Sequence, residues 1–266
     1  MHMLQALLLA TLTGAPIAIA SHSITTSRVV VTTRDVATAP VQARVANHGS
    51  STRARPPDRM TRLLDERPTT RPRIVPRSAW DDSPAPSGLR HRRGDLRSVL
   101  RHIVVHHSDF EDPIGPAGIL SYHREVSRFA DIGYHFVIDA EGTIFEGRDL
   151  RAAGAHAGAV VEQKGHPERD PDHASIGIVL DGYFVDRVPN DAMLSALFAL
   201  VDDLASTFTI KTDSVIPHRD VRLVLVEQRG FTLASDPTVC PGDALTRVVD
   251  RYRAARAAAL LEARAR

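Results

Sequence analysis

Cysteine is nearly absent: Cys240 is the only one in 266 residues, so no intramolecular disulfide is possible. An excess of charge is missing too. Lys and Arg number 33 against 32 Asp and Glu, a formal net charge of +1, so there is no overall basic signature for nucleic acid. No internal repeat is visible. With 43% hydrophobic and 24% charged residues, the composition excludes a wholly disordered, collagen-like or coiled-coil chain. The length allows one sizeable domain with appendages, or two small domains. What the chain does hold in quantity is histidine, 13 in all, with eight between His102 and His173.

The balanced charge is unevenly placed. Residues 21–80 hold 11 Arg against 4 Asp and Glu, a net of +7, whereas residues 81–250 hold 17 Lys and Arg against 27 Asp and Glu, a net of −10. A basic tail on an acidic body argues against the body gripping a phosphate backbone. The tail reads as a solvated linker, with contact to an anionic surface as the other reading.

Residues 1–20, MHMLQALLLATLTGAPIAIA, carry no charged residue and end in Ala18-Ile19-Ala20, the small-x-small pattern of a signal-peptidase site. They read as an export signal, placing the protein in the periplasm, at the cell wall or outside the cell. A retained membrane anchor is the alternative, although Gly14 and Pro16 interrupt the run. No cysteine follows, which excludes a lipoprotein. Residues 21–72, rich in Ser, Thr, Arg and Pro with little to bury, read as a basic disordered linker.

From about Arg73 the texture changes. HIVVHHS (102–108) and SIGIVLDG (175–182) are short β-branched runs that read as buried strands. In residues 115–129, Ile119, Leu120, His123, Val126 and Phe129 recur near helical spacing. Residues 134–148 hold two apolar runs around Asp139-Ala140-Glu141-Gly142, a hairpin signal. Pro189 and Asn190 open a helix with Met193, Leu197, Leu200, Val201 and Leu204 as its stripe. A last helix after Pro241-Gly242-Asp243 carries Leu245, Val248, Val249 and Tyr252 on one side, and 254–266 reads as its fraying Ala/Arg-rich end. Strands interleaved with helices predict an α/β class: one domain over 73–253, with a central mixed sheet flanked by helices.

Three scattered residues carry the chemistry. His106 ends the first buried strand, His218 follows Val215-Ile216-Pro217, and Cys240 precedes the last helix. Two imidazoles and a thiolate with one position left open make a catalytic zinc site of the His2Cys type. Spread over 134 positions, their spacing alone is weak evidence, and they read more simply as a strand-end histidine, a loop histidine and a buried free thiol. A single Cys in an exported protein has no disulfide role, which leaves reactivity or a metal as its uses.

IVPRSAW, IVVHHS, DIGYHFVIDAEGTIFEGRD, GAHAG, SIGIVLDGYF, IPHRDV and CPGDAL occur here in the order seen in zinc-dependent N-acetylmuramoyl-L-alanine amidases and peptidoglycan recognition proteins. Over residues 73–253 the chain resembles that family. The resemblance implies Zn2+ as cofactor, with His106, His218 and Cys240 as its ligands. It implies Tyr134 as the catalytic tyrosine, and Thr238 as the residue two before the cysteine that donates to the oxyanion or orients substrate. A phenol with a pKa near 10 is a poor base at neutral pH, so Tyr134 is cast as a hydrogen-bond donor.

Departures from the family pattern matter. Val179 stands where one branch places a glutamate base, so the chain is grouped with the tyrosine branch; Asp109 is an acid to test instead. The single cysteine excludes the disulfide of animal recognition proteins and points to the bacterial enzymes. Residues 222–237 make a long connection read as an extra hairpin beside the site, and the polar loop 161–174, with His166 and His173, as a groove wall. His107 is assigned to the substrate groove or to the surroundings of the metal. His156 is expected to line the groove or meet the leaving group, and Arg148 to pair with a stem-peptide carboxylate or with Asp149 or Glu146. The resemblance implies hydrolysis of the amide between N-acetylmuramic acid and L-alanine, on peptidoglycan or muropeptides, with no partner protein evident. A non-catalytic peptidoglycan receptor is the alternative.

Overall fold

The computed structural model describes residues 58–66, 70–84, 86–158, 170–226 and 237–266. Among them, β1 (Ile74–Val75), β2 (His102–His107), β3 (Phe136–Ile138), β4 (Ile144–Glu146), β5 (Ser175–Leu180) and β6 (Val215–Pro217) form one sheet in the order β1-β4-β3-β5-β2-β6. Only the β3–β4 pair is antiparallel, so the sheet is mixed, as the sequence pattern predicts. β2 and β5 have strand partners on both sides and packing on both faces. Their sequences are therefore apolar nearly throughout rather than alternating.

The helices are α1 (Arg59–Asp65), α2 (Leu96–Val99), α3 (Gly115–Glu125), α4 (Pro171–Ala174), α5 (Asp191–Phe208) and α6 (Asp243–Ala265). The Asn190 side chain caps α5 by accepting from the Met193 amide. In the β3–β4 turn, Asp139 Oδ1 accepts from the Glu141 and Thr143 amides. Gly142 there has φ 78°, and a Cβ on it would lie 2.6 Å from the Ala192 carbonyl oxygen, so the turn needs glycine twice over.

Alternation along the strands sorts side chains to two faces. Ile103, Val105, Ile176, Ile178, Phe136 and Ile138 join the apolar faces of α5 and α6 in the main core. Val104, Val137 and Val179 face the other way, into two smaller clusters; α3 supplies Ile119 and Leu120 to one of them. His106 shares the parity of Val104 and projects from this second face, and His107 takes the opposite side.

Three elements differ from expectation. The stretch RMTRLLD, assigned to the linker, is helix α1, which buries Met60 and Leu64 in the main core. Asp58 caps it by accepting from the Thr61 amide, and Arg251 anchors that carboxylate from α6. α6 continues helical to Ala265 rather than fraying at 254, because Arg256 pairs with Asp202 at 2.6 Å and donates to the Leu64 carbonyl. α3 stops at Glu125, before Arg128 turns left-handed at φ 59°, leaving Val126 and Phe129 exposed.

Candidate metal centre

β6 lies parallel to β2 with Pro217 set against Val105. The next residue in each case is a histidine, His106 within β2 and His218 in the turn that follows β6, and the two stand abreast, ring centroids 4.4 Å apart. Cys240 arrives from the turn before α6. Arg219 stitches that turn to β6: its amide donates to the Cys240 carbonyl at 2.7 Å, and its guanidinium reaches the Val239 carbonyl and Asp243. Gly242, at φ 87°, passes so close to Phe184 that a Cβ would sit 2.2 Å from its carbonyl oxygen. The donor atoms of His106, His218 and Cys240 all lie within 4.8 Å of one another, and Cys240 Sγ is 3.7 Å from His106 Nδ1.

The electrostatics suit ligation. Burial holds the His106 imidazole well below its ordinary 6.5, helped by His218 and His156, and holds His218 at about 4. Both are neutral with lone pairs available at neutral pH. Burial pushes the Cys240 thiol up to about 12, so it needs a cation beside it to ionise. Two neutral imidazoles and a thiol of this kind fit a borderline-soft divalent ion.

Tyr134 lies beside the cluster, its ring 5.0 Å from His106 and 5.3 Å from His123. Burial first, then the nearby Cys240 and Asp109, raises the phenol above its ordinary 10, so it keeps its proton at neutral pH. The Thr238 hydroxyl accepts from the Cys240 amide at 3.1 Å, which leaves its own proton to donate. Val179 is paired in register with His106 and fully buried among Ile119, Leu120 and Ile132, so that position holds no proton acceptor. Asp109 sits on the rim in a left-handed conformation, φ 68°, with a largely exposed carboxylate.

The profile of the N-acetylmuramoyl-L-alanine amidase family, Amidase_2, matches residues 96–243. The chain belongs to this family. Among individual relatives, peptidoglycan recognition protein 1 of Mus musculus is 27% identical over 187 residues, covering 67% of this chain and 87% of that protein. An N-acetylmuramoyl-L-alanine amidase of Sus scrofa is 29% identical over 188 residues, 65% of this chain but only 26% of the relative. The crystal structure of Drosophila peptidoglycan recognition protein SD superposes with a TM-score of 0.52 at 22% identity, over 68% of this chain and 94% of that one, a likeness of fold.

Three residues assigned to substrate binding stand differently in this family member. Arg148 is buried and donates to the carbonyls of Ile132, Ala153 and Asp131 at 2.7–3.1 Å, with the Asp131 carboxylate 3.8 Å away. It clamps the loops behind Tyr134 and pairs with neither Asp149 nor Glu146. His107 keeps 2% of its side chain exposed. Its Nδ1 accepts from the Phe184 amide and its Nε2 lies 3.5 Å from the Asp109 carboxylate on the rim. His156 is buried with Nδ1 3.0 Å from His106 Nε2, enclosed behind the cluster rather than lining a groove.

Residues 222–226 form a π-helical turn, not a hairpin strand, because Val221 and Leu225 share one apolar cluster with Val104 and Ile216. The second half of the proposed hairpin, 231–233, lies outside the described residues, as do residues 1–57 and His166. Residues 161–169 of the polar loop also lie outside the described residues; Pro171–Ala174 is α4, with Asp170 and Asp172 buried. Sequence reasoning overlooked Arg92. Its buried guanidinium donates to the carbonyls of Leu150, Ala152, Asp172, His173 and Ser175, gathering the chain behind the site. Burial lowers it to about 10. The signal was faint: an arginine in a polar stretch, HRRGD, reads as solvated.

Proposed function

We propose that the protein is a zinc-dependent amidase that hydrolyses the bond between N-acetylmuramic acid and L-alanine in peptidoglycan or soluble muropeptides. The observation that carries this reading is the convergence of Cys240 with His106 and His218, with Tyr134 at its side. The family match supports the bond cleaved, and the donor set supports zinc. A zinc ion held by these three side chains would supply Lewis-acid polarisation of the scissile carbonyl and acidify water.

The chain's own residues do the rest. Tyr134, kept protonated, donates to the carbonyl oxygen as it gains negative charge. The Thr238 hydroxyl, oriented by its bond to the Cys240 amide, is a second donor on the cysteine side. Arg148 and Arg92 hold the backbone behind Tyr134 and His156 by satisfying carbonyls that burial would otherwise strand. The charge-free segment 1–20, ending in Ala-Ile-Ala, supports export to where such substrates lie.

A non-catalytic peptidoglycan receptor is the second reading, favoured by the recognition proteins among the relatives. The complete His2Cys donor set favours the enzyme, because binding alone has no use for it. Incubation with isolated cell walls tests the choice: the enzyme releases stem peptides whose new amino terminus is L-alanine. A zinc-loaded protein that binds walls and releases nothing is a receptor.

A further inference from the structure

His156 is enclosed on every side. Gly154 and Gly177 make the room for it: a Cβ on Gly154 would lie 2.3 Å from the His156 Cδ2 atom, and one on Gly177 would lie 2.5 Å from it. The ring presents Nδ1 to His106 Nε2 at 3.0 Å. His106 meanwhile turns Nδ1 towards Cys240 Sγ, 3.7 Å away. If Nδ1 gives its lone pair to the donor cluster, the single proton of neutral His106 sits on Nε2 and is donated to His156 Nδ1. That leaves the His156 proton on Nε2. Among the described residues this atom has no hydrogen-bond partner, and the nearest carboxylate oxygen is Asp172 Oδ1, 3.8 Å away.

Asp172 is itself held rigidly. Oδ1 accepts from the His156 and Ala157 amides at 2.7 and 2.9 Å, its own amide donates to Asp170 Oδ1 at 3.0 Å, and Arg92 binds its carbonyl at 2.8 Å. Asp170 in turn pairs with Arg90. The series Asp172, His156, His106 therefore runs from a fixed carboxylate to one donor of the cluster.

We infer that His156 and Asp172 are positioning residues that hold His106 in the Nε2–H tautomer and orientation that offers Nδ1 to the metal. The inference rests on the zinc reading above. A ligating imidazole is oriented and made more basic by the partner of its other nitrogen, and loss of such a partner commonly weakens metal binding about 10- to 100-fold. Here that partner is a second imidazole, backed by a carboxylate.

The test is zinc affinity of the full chain, measured by competition with a chromophoric chelator, together with the melting temperature of each metal-free protein and the visible spectrum of its cobalt form. His156→Ala should bind zinc about 10- to 100-fold more weakly and shift the cobalt bands. His156→Asn places a carbonyl oxygen near the former Nδ1 and should recover most of the affinity. If His156→Ala does not fold, Asp172→Asn carries the test. It keeps an oxygen for both backbone amides, so the metal-free protein should melt like wild type while zinc binds about 10-fold more weakly. Unchanged zinc affinity in these variants overturns the inference, as does a loss that His156→Asn does not restore. A raised KM with unaltered zinc affinity overturns it in favour of a substrate contact. Failure of the wild-type protein to bind zinc overturns the zinc reading itself.

Discussion

His106 and His218 stand side by side because Val105 and Pro217, the residues before them, are paired across parallel strands. Two donors 112 positions apart in the chain are thus brought together by strand register, and Cys240 is added by the turn that Arg219 pins. A register shift of one residue would turn one imidazole to the other face.

On the proposed zinc reading, Cys240 is the least replaceable donor. Cys240→Ser should lower zinc content well below one per chain and abolish hydrolysis, while the turn persists through the Arg219 bonds to the Cys240 and Val239 carbonyls. Chelation of the wild-type protein should remove activity reversibly. Metal analysis and muropeptide turnover check both; full zinc content in Cys240→Ser would sink the ligand assignment.

Tyr134→Phe deletes only the hydroxyl and keeps the ring against His106 and His123. Turnover should fall by about 10²- to 10³-fold, the usual cost of one oxyanion donor, with KM little changed. Zinc content and melting temperature should match wild type. Turnover near the parent rate would remove Tyr134 from the reaction and make the rim carboxylate of Asp109 the next side chain to replace.

Truncation separates packing from catalysis. A chain starting at Arg73 lacks α1 and exposes the surface that Met60 and Leu64 cover on the α5 and α6 side. Losing two buried apolar side chains should cost about 2–4 kcal/mol after the helix regains its entropy. That lowers the melting temperature by roughly 5–15 °C for a domain of this size. Turnover per folded molecule should be unchanged, because His106 projects from the other face. A chain starting at Ala54 should melt like the whole protein. Equal melting of both truncations would mean that α1 adds nothing.

Acid should destabilise the metal-free protein. His106, His123, His135, His156 and His218 are all pushed below 6.5 mainly by burial, His123 and His218 to about 4. Below about pH 6.5 the unfolded chain binds protons that the folded chain refuses. Stability is therefore fully present above that pH and is lost as pH falls towards 4, by ~1.4 kcal/mol per pH unit for each imidazole. Asp172, raised by burial and Asp170 from 3.8 to about 6, and Asp220, raised by burial and Asp250, work in the opposite direction, two carboxylates against six imidazoles, since burial lowers His107 as well. Thermal melts near pH 7.5 and pH 5 decide the sign; a higher melting temperature at the lower pH would contradict it.

Much of this was written in local pattern. The β-branched runs of β2 and β5, the Asp-Ala-Glu-Gly turn and the Asn190 cap are each specified by residues within a few positions, so sequence by itself determined the alternation of strands and helices. The ordered motifs around His106, Tyr134, His218 and Cys240 likewise pointed to one family and one chemistry, since a thiol and two imidazoles suit few ions.

Tertiary structure alone decided which other polar residues face the site. His156, Arg148 and His107 are polar side chains beside motif residues, and from spacing each is as fit for a substrate as for the interior. Burial separates them. His156 occupies space that Gly154 and Gly177 leave open from different segments, Arg148 and Arg92 satisfy carbonyls of loops distant in sequence, and His107 falls on the far side of the pleat. α1 was hidden for the same reason: seven residues carry too little periodicity to announce a helix, and only α5 and α6 supply the surface that makes folding it worthwhile. Propensity and motif order are properties of neighbours in the chain, whereas the direction a polar side chain turns depends on which unsatisfied groups the fold brings beside it.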